Sequence, residues 1–204
     1  MNYICLLLTN FIVAVMKKNI YFLLIINTLC GCFTTIRLQT NQFAPSFNPV
    51  TTPNANIFIV THSTLQTEEF MIYLKNHLKR RLEVAGIKAT GFNVKYLKPA
   101  DYETQLPLIQ KQLVDSIQKM NPTFVLHFRS ESDISIKFLT LTKIIKKWTG
   151  GVLTAQLHAP NDETKEFWQA SVEIKNCHES DVITTCERLS VKIIDEWKKY
   201  KKMN

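Results

Sequence analysis

Apolar and polar residues recur in patterns that predict strands and helices from residue 56 onward. The segment NIFIVTHS, at 56–63, is a short β-branched apolar run typical of a buried strand. From Thr67 to Ala85 apolar residues then recur at helical spacing, and Gly86 follows where a helix needs a left-handed residue to end. The apolar face of this predicted helix consists of Phe70, Leu74, Leu78, Leu82 and Ala85.

A second strand and a second helix follow in the pattern. Alternating apolar residues predict a strand at 91–97, which Pro99 ends, and a helix is predicted over 103–119. The apolar residues in phase along this helix are Leu106, Ile109, Leu113 and Ile117. Asn121-Pro122 ends the helix, and TFVLHF at 123–128 predicts a third strand.

The rest of the chain alternates with a period of two, which predicts an antiparallel meander. The alternating segments are 134–148, 152–159 and 166–174. Gly150-Gly151 and Pro160-Asn161-Asp162 are typical of turns between them. A closing amphipathic helix is predicted over 182–200, with a lysine-rich last turn that suits the helix dipole.

The predicted order of elements is therefore β-α-β-α-β-β-β-α. Two helical crossovers give right-handed parallel pairs, and the hairpins add antiparallel strands. We expect an α/β (α+β) fold, a mixed sheet of about five strands with three helices, in a single globular domain over 56–204. The pattern leaves open whether all three helices share one face; if they do, the other face is available to a partner.

Residues 1–31 have the features of a signal segment. Within 16–32, MKKNIYFLLIINTLCGC, two lysines precede an apolar core from Ile20 to Leu29. This core is about ten residues long, within the roughly 7 to 15 of a secretory signal and short of the roughly 20 that span a bilayer. Residues 1–15 fit poorly before it, so we expect Met16 to be the start; a real helical hairpin or long anchor is the alternative.

The segment ends in Leu29-Cys30-Gly31-Cys32, which resembles the lipobox of bacterial lipoproteins. The resemblance implies that Cys32 receives a lipid on its sulfur, that cleavage follows Gly31, and that the new amino terminus is acylated. Cys30 departs from the usual Ala or Ser of that motif. Phe33 is not the Asp that resembles an inner-membrane retention signal in enteric bacteria, which favours the outer membrane. The alternatives are an uncleaved membrane anchor and a signal peptide whose cysteines are incidental.

Between the lipobox and the first predicted strand the chain is polar. Residues 33–55 are rich in Thr, Asn, Gln and Pro and show no sustained period of 2 or 3.6. Such a segment buries too little apolar surface to offset the entropy of ordering it. We therefore expect 32–55 to be the lipidated Cys32 and a flexible tether, with a reach of roughly 25 Å.

Composition places the chain among globular proteins and restricts its partners. Its 204 residues are 46% hydrophobic and 21% charged, and the formal net charge is +8. A basic chain invites a nucleic-acid function, but the basic residues are dispersed and secretion conflicts with it, so no nucleic acid is expected. A membrane, contacted through the lipid on Cys32, and an envelope protein are the expected partners. We expect the lysine runs to form a solvated face, and one basic surface toward lipid or an anionic polymer is the alternative. The residues concerned are Lys137, Lys143, Lys146, Lys147, Lys198, Lys199, Lys201 and Lys202.

Motifs for chemistry are scarce. The five histidines show no metal-ligand spacing, and neither a phosphate-binding Gly-rich loop nor a GxSxG elbow is present. We therefore expect no metal, no cofactor and no enzyme. The best ligand or catalytic candidates are His62 as base and Ser63 as nucleophile, near the carboxyl end of the first predicted strand. We favour a helix-capping loop there, because neighbouring strand residues point to opposite sides.

Two further cysteines remain after processing. Cys177 and Cys186 are close enough in sequence to bridge the last strand to the final helix. An oxidising periplasm favours a disulfide, which we expect; two buried free thiols are the alternative.

The domain itself resembles a group of envelope proteins. The features are the order of elements, the strand NPTFVLHF, an aromatic pair in EFWQAS at 166–171, and a final amphipathic helix. Over about 56–200 they are similar to the amino-terminal domain of TolB and to curli-assembly and penicillin-binding-protein-activator lipoproteins. The resemblance implies a non-catalytic cell-envelope lipoprotein that acts by protein contact or assembly. It transfers no site residues. The alternative is a periplasmic hydrolase or small-ligand-binding protein with a site near His62.

Overall fold

The computed structural model describes residues 34–47, 54–64, 66–95, 102–139, 144–177 and 179–203. Its strands are β1 (Thr35–Phe43), β2 (Asn56–Ser63), β3 (Lys88–Lys95), β4 (Phe124–Leu139), β5 (Ile144–Ala159) and β6 (Asp162–Lys175). Its helices are α1 (Glu68–Val84), α2 (Tyr102–Met120) and α3 (Val182–Met203), the last preceded by a 3-10 turn at Glu179–Asp181. Cys32 and the predicted signal segment lie outside the described residues.

The strands form one mixed sheet in the order β1-β6-β5-β4-β2-β3. Strand β2 is parallel to both of its neighbours, β3 and β4, and the remaining pairs are antiparallel. The two parallel pairs follow from the helical crossovers α1 and α2, as the order of elements predicts. The expected mixed sheet with three helices is thus confirmed, with six strands in place of about five.

The helices pack on opposite faces of the sheet, which answers the question that the sequence leaves open. Ile57 and Ile59, on one face of β2, belong to the main core together with the buried faces of α1 and α3. On the other face, Phe58 and Val60 form a smaller core. The half-buried residues of α2 that pack against this smaller core are Ile109, Leu113 and Ile117. None of the described helices is both long and apolar enough to span a membrane.

Strand β1 corrects the expectation of a flexible tether over 32–55. Thr35–Phe43 pairs with β6 along its whole length, with one register shift between Leu38 and Thr40. Ile36, Leu38 and Phe43 are partly buried against the main core. The alternation is present in TIRLQTNQF, but the register shift interrupts it, and the polar composition of the segment hides it.

Helix α3 fixes β1 in place by binding its backbone carbonyls. The Arg188 guanidinium donates to the Thr34 carbonyl oxygen at 3.3 Å, and the Lys192 ammonium donates to that of Ile36 at 3.2 Å. At the other end of the strand, the Tyr200 hydroxyl donates to the Ala44 carbonyl at 3.2 Å. The Tyr200 ring also stacks on Phe43, with a centroid separation of 4.2 Å. The strand is therefore part of the domain.

The strands β4, β5 and β6 form the predicted antiparallel meander, but the bounds of β4 and β5 differ from the predicted ones, because the predicted segment 134–148 is divided between these two strands. Gly150-Gly151, predicted to be a turn, lies inside β5, and the two strands remain paired out to Leu139 and Ile144. Gly150 has a φ of 151°, and a Cβ there would clash with the Ile174 carbonyl oxygen of β6. Glycine at this position therefore permits a close approach between strands, at a register shift of the β4–β5 pair.

Replacing Phe43 by Ala tests whether β1 is a structural strand. We expect the free energy of unfolding to fall by about 2 kcal/mol, because the half-buried ring packs on Tyr200 and Phe47. Gln42→Ala, an exposed position on the same strand, serves as the control, with a change below about 0.5 kcal/mol. Urea unfolding measures both variants. Equal, negligible changes in the free energy of unfolding at the two positions would contradict a structural role for β1 and would favour the flexible tether.

Candidate functional site

Three histidines from three adjacent strands form a row in the middle of the sheet. His62 lies near the end of β2, His127 on β4 and His158 on β5. In the register, Val60 pairs with His127 and Val125 pairs with His158. Val60 and Val125 belong to the smaller core beneath α2, so the histidine row lies on the same face of the sheet as that helix.

The three imidazole rings are stacked and connected. The His62 and His127 ring centroids are 5.3 Å apart, and those of His127 and His158 are 4.9 Å apart, with interplanar angles of 22° and 24°. His62 Nε2 lies 3.0 Å from His127 Nδ1, a hydrogen bond in which either ring donates according to its tautomer. His158 Nδ1 is 2.6 Å from the Ala159 carbonyl oxygen.

These contacts determine part of the proton arrangement. A carbonyl oxygen only accepts, so His158 donates through Nδ1–H, and its Nε2 carries a lone pair when the ring is neutral. Within the described part of the chain, neither His127 Nε2 nor His158 Nε2 has a hydrogen-bond partner. His127 is 2% exposed and His158 is 5% exposed. Buried polar atoms without partners destabilise a fold, so this row lowers stability in the absence of a ligand or water.

Burial keeps His62 and His127 uncharged near neutral pH. It lowers the pKa of His62 to about 4, with a smaller contribution from the nearby Arg129 guanidinium. The pKa of His127 is lowered further, mainly by burial and then by the other two histidines and Arg129. A neutral imidazole offers a lone pair and a single N–H, so His62 and His127 can accept or donate hydrogen bonds near neutral pH.

Metal binding is not evident at this row. Among the described residues, no group of three or more His, Cys, Asp or Glu side chains has an arrangement that could hold a metal ion. Near-parallel rings at these separations also differ from a tetrahedral set of nitrogens that converge on one ion.

The predicted pair His62 and Ser63 is separated by the structure. The Ser63 hydroxyl is buried and lies 3.3 Å from both Asn93 Oδ1 and the Val94 carbonyl oxygen of β3, whereas His62 contacts His127 on β4. The two neighbours therefore bind different groups, as strand alternation requires, and do not form a base–nucleophile pair. The favoured alternative, a loop whose hydroxyls cap the helix, is not borne out in its contact. Thr67, which precedes α1, makes no side-chain capping hydrogen bond, and the Thr64 and Thr67 hydroxyls bond each other instead at 3.1 Å.

The two late cysteines are thiols that are not bridged, which differs from the expected disulfide. Both are fully buried in the main core. Cys177 Sγ lies 3.7 Å from Thr185 Oγ1, and Cys186 Sγ lies 3.4 Å from the Phe70 carbonyl oxygen. Burial raises the pKa of both thiols, so they are poor nucleophiles here.

Two lysines of the predicted basic surface are described with their side chains. Lys198 and Lys199 are exposed on α3 and precede Tyr200, which contacts Ala44 at one end of β1. The side chains of the other six lysines lie outside what the structure describes, so one basic surface stays a prediction.

His127 and His158 are the site residues that sequence reasoning misses. Each lies in an alternating strand segment, TFVLHF or VLTAQLHA, whose periodicity is correctly recognised. Their convergence on His62 depends on strand order and register, which spacing along the chain does not encode. The one available signal is that three of the five histidines fall within predicted strands.

An open, mixed α+β sheet with helices on both faces is the class that this fold defines. No family model and no curated protein sequence matches the chain. Among solved structures, a PelC dodecamer from Paraburkholderia phytofirmans is 12% identical with a TM-score of 0.46, over 81% of this chain and 97% of that one. Lipoprotein GNA1162 from Neisseria meningitidis is 14% identical with a TM-score of 0.36, over 70% and 99%.

A third structure, the hypothetical protein CT253 from Chlamydia trachomatis, is 11% identical with a TM-score of 0.36, over 74% of this chain and 100% of that one. At this level of identity and TM-score the likenesses carry no argument about what this chain does. The resemblance to the TolB amino-terminal domain stays a prediction.

Acidification tests the histidine row. The folded pKa of His62 lies below the ordinary 6.5, so between pH 6.5 and about 4 the unfolded chain binds more protons than the folded one. Stability is therefore complete above pH 6.5 and falls as the pH drops toward 4, with a contribution from His62 on the order of 3 kcal/mol. Urea unfolding at several pH values measures this loss.

His62→Gln, which does not titrate, is expected to reduce the loss. His77→Gln on α1, outside the row, is the matched control for the replacement of a histidine by glutamine. An identical pH dependence in the wild type and His62→Gln would falsify the neutral, buried state of this histidine.

Proposed function

We propose that the chain is a non-catalytic, lipid-anchored protein of the bacterial cell envelope that acts through contact with another envelope protein. The observation that carries the proposal is the sequence Leu29-Cys30-Gly31-Cys32 at the end of a basic-then-apolar segment. A thiol in that position, with a small residue before it, provides the nucleophile and the cleavage site that lipidation requires. Several acyl chains on one residue give an anchor that does not readily dissociate.

The start of β1 changes how such an anchor would act. Thr35 is only three residues after Cys32, and α3 binds the carbonyls of Thr34 and Ile36. A lipid on Cys32 would therefore hold the folded domain directly at the bilayer, with none of the reach that a 23-residue tether provides. Contact with a partner would take place at the membrane surface.

A polar surface on β5 and β6 supports action by contact. Most residues that alternate with the main-core positions of these two strands are polar and half-buried, although Val152 on the same face is apolar. The polar ones are Thr154, Gln156, Gln169, Ser171 and Glu173. We call these five residues the polar face. Its members offer hydrogen-bond donors and acceptors on a rigid sheet, and such groups make up much of a non-obligate protein interface. The polar face is the surface that we assign to the partner.

A small-ligand site at the histidine row is the second candidate function. The buried Nε2 atoms of His127 and His158, without partners in the described part of the chain, favour it. A hydrolase at this place is not favoured, because Ser63 bonds to Asn93 and Val94 and not to His62.

Mass spectrometry of the mature protein from bacterial membranes tests the anchor. We expect a first residue at Cys32 that carries acyl chains, and Cys32→Ser is expected to remain unacylated and uncleaved. Cys177→Ser is the matched control and should be processed normally, because that thiol is buried in the folded domain. A native product that retains Ile20 to Leu29 and an unmodified Cys32 contradicts the proposal.

Photocrosslinking in intact cells tests the partner surface. A photoreactive residue at Gln156 or Gln169 is expected to give one adduct of the same mass, because both positions lie on the polar face. Gln112, exposed on α2, is the control and should give none. Absence of an adduct at both polar-face positions, together with a ligand-dependent rise in Tm that His127→Phe abolishes, favours the small-ligand function instead.

A further inference from the structure

Strand β3 is an edge of the sheet, and half of its backbone groups point outward. Lys88 donates its backbone N–H to the Ala55 carbonyl oxygen next to β2 at 3.1 Å. In a parallel pair, alternate residues of one strand bond to the same neighbour, so every second residue of β3 from Lys88 faces β2. The residues between them point their N–H and C=O groups away from the sheet: Ala89, Gly91 and Asn93. We call the outward backbone of these three residues the β3 edge.

The two edges of the sheet differ in how their backbone is occupied. At β1, side chains of α3 donate to the carbonyl oxygens of Thr34, Ile36 and Ala44. Among the described residues, no group hydrogen-bonds to the outward backbone of β3. An extended chain that joins a sheet needs unoccupied N–H and C=O groups, so the β3 edge is the better template for strand addition.

The side chain of Lys75 lies over β3 on the face of the sheet that α1 covers. A Cβ atom at Gly91 would be 2.7 Å from Lys75 Cγ and Cδ, so the glycine makes room for the lysine stem. Burial, and then the neighbouring Lys79, lower the pKa of Lys75. Within the part of the chain that the structure describes, no carboxylate pairs with Lys75. An anion beside this partly desolvated ammonium group would therefore be stabilising.

The charges around β3 add up to a positive excess. Four lysines lie on this strand or beside it: Lys75, Lys79, Lys88 and Lys95. Two carboxylates compensate them in part, because Glu83 lies 3.8 Å from the Lys79 ammonium and Glu68 lies 2.6 Å from that of Lys95. Four positive and two negative charges leave +2 at this border, which favours an anionic partner.

We propose that the β3 edge binds an extended segment of another protein in which acidic residues alternate with apolar ones. The segment adds to the sheet as a strand, and its backbone bonds to the β3 edge. Its side chains point alternately to the two faces of the sheet. Those on the α1 side meet Lys75 and Lys79, whereas those on the other side lie beside Phe92, a half-buried ring of the smaller core.

Charge selects an acidic partner over a second copy of this chain. Antiparallel pairing of two β3 edges would bring Lys75 and Lys79 of both copies together on one face of the joined sheet. It would also place Lys88 of one copy toward Lys95 of the other, because these residues end the strand. Like charges opposite each other destabilise a strand pair, whereas alternate carboxylates complement the same lysines.

Amide hydrogen exchange, followed by NMR, tests strand addition. The probe is a synthetic peptide in which Glu and Val alternate, added to the full-length protein in a neutral detergent. The amides of Thr90 and Phe92 are already bonded to β2 and should exchange slowly with or without peptide. Exchange at Ala89, Gly91 and Asn93 should slow by about tenfold or more when the peptide binds, because its carbonyls then accept from these N–H groups.

N-methylated peptides test whether binding uses the backbone of the probe. Only every second amide of an added strand faces β3, in either orientation of the peptide. Methyl groups on one alternate set of amides should therefore abolish binding, and the same groups on the other set should leave it intact. Fluorescence anisotropy of the labelled peptides measures both. Equal effects of the two sets would contradict strand addition.

Charge variants test the role of the lysines on α1. Lys75→Gln/Lys79→Gln is expected to weaken binding of the Glu–Val peptide about fivefold, and to leave the weaker binding of a Gln–Val peptide unchanged. Lys198→Gln/Lys199→Gln removes the same charge from α3, which borders β1 at the opposite edge, and is the matched control. Urea unfolding shows whether both variants are folded. Equal weakening by the two would show a general attraction of a basic protein and would overturn the assignment to β3.

The inference goes beyond the proposed function, because it concerns a different surface from the polar face and makes no use of the lipid anchor. Peptide-dependent protection of the three outward amides supports it, whether or not the native product is acylated. A peptide that leaves these amides unprotected, or protects β1 instead, overturns it and leaves the anchor and the polar face untouched. A dimer that forms through β3 in preference to the peptide complex overturns the acidic partner and makes a second copy the occupant.

Discussion

Burial of β2 on both faces is the constraint on which the rest of the structure depends. Its side chains point alternately to two apolar cores, with Ile57 and Ile59 on one side and Phe58 and Val60 on the other. A parallel strand between two parallel neighbours requires helices on both faces of the sheet, because uncovered apolar residues and backbone would meet water. The two crossover helices α1 and α2 therefore lie on opposite sides. Helix α3 covers the antiparallel half of the sheet, on the same face as α1. The histidine row lies on the opposite face, on the side of α2.

Sequence periodicity predicts the elements of this fold better than their arrangement. The helix predicted over Thr67–Ala85 becomes Glu68–Val84, because a full apolar stripe and Gly86 define it locally. Strand β1 is not predicted from the sequence because three features hide its alternating pattern or lie elsewhere in the chain. Polar residues alternate with a few apolar ones, a bulge shifts the phase, and α3 contributes much of the stabilisation from a distant part of the chain. The same limit applies to Gly150. A Gly-Gly pair in a sequence is typical of a turn, and the sequence does not show that this glycine instead permits a close contact with β6.

The candidate site shows the same difference between what periodicity predicts along the chain and how the elements are arranged. His62 is predicted from its place at the end of a strand, yet its relevant neighbours are His127 and His158 and not the adjacent Ser63. Alternation along a strand is sufficient by itself to disfavour the Ser63 pair. Assembly of the row requires the order β5-β4-β2 and the register of each pair, which are properties of the folded sheet. The thiols differ from expectation for a related reason, since proximity in sequence does not specify the Sγ–Sγ geometry that a bridge requires.

The binding of α3 to β1 has a consequence for self-association. An edge strand with unpaired carbonyls is a template for another chain, and uncontrolled strand addition leads to fibres. Here Arg188, Lys192 and Tyr200 occupy carbonyl oxygens of Thr34, Ile36 and Ala44, so an incoming strand would have to displace hydrogen-bond donors at both ends of the edge. Copies of the domain brought close together would thereby be kept from polymerising along this side.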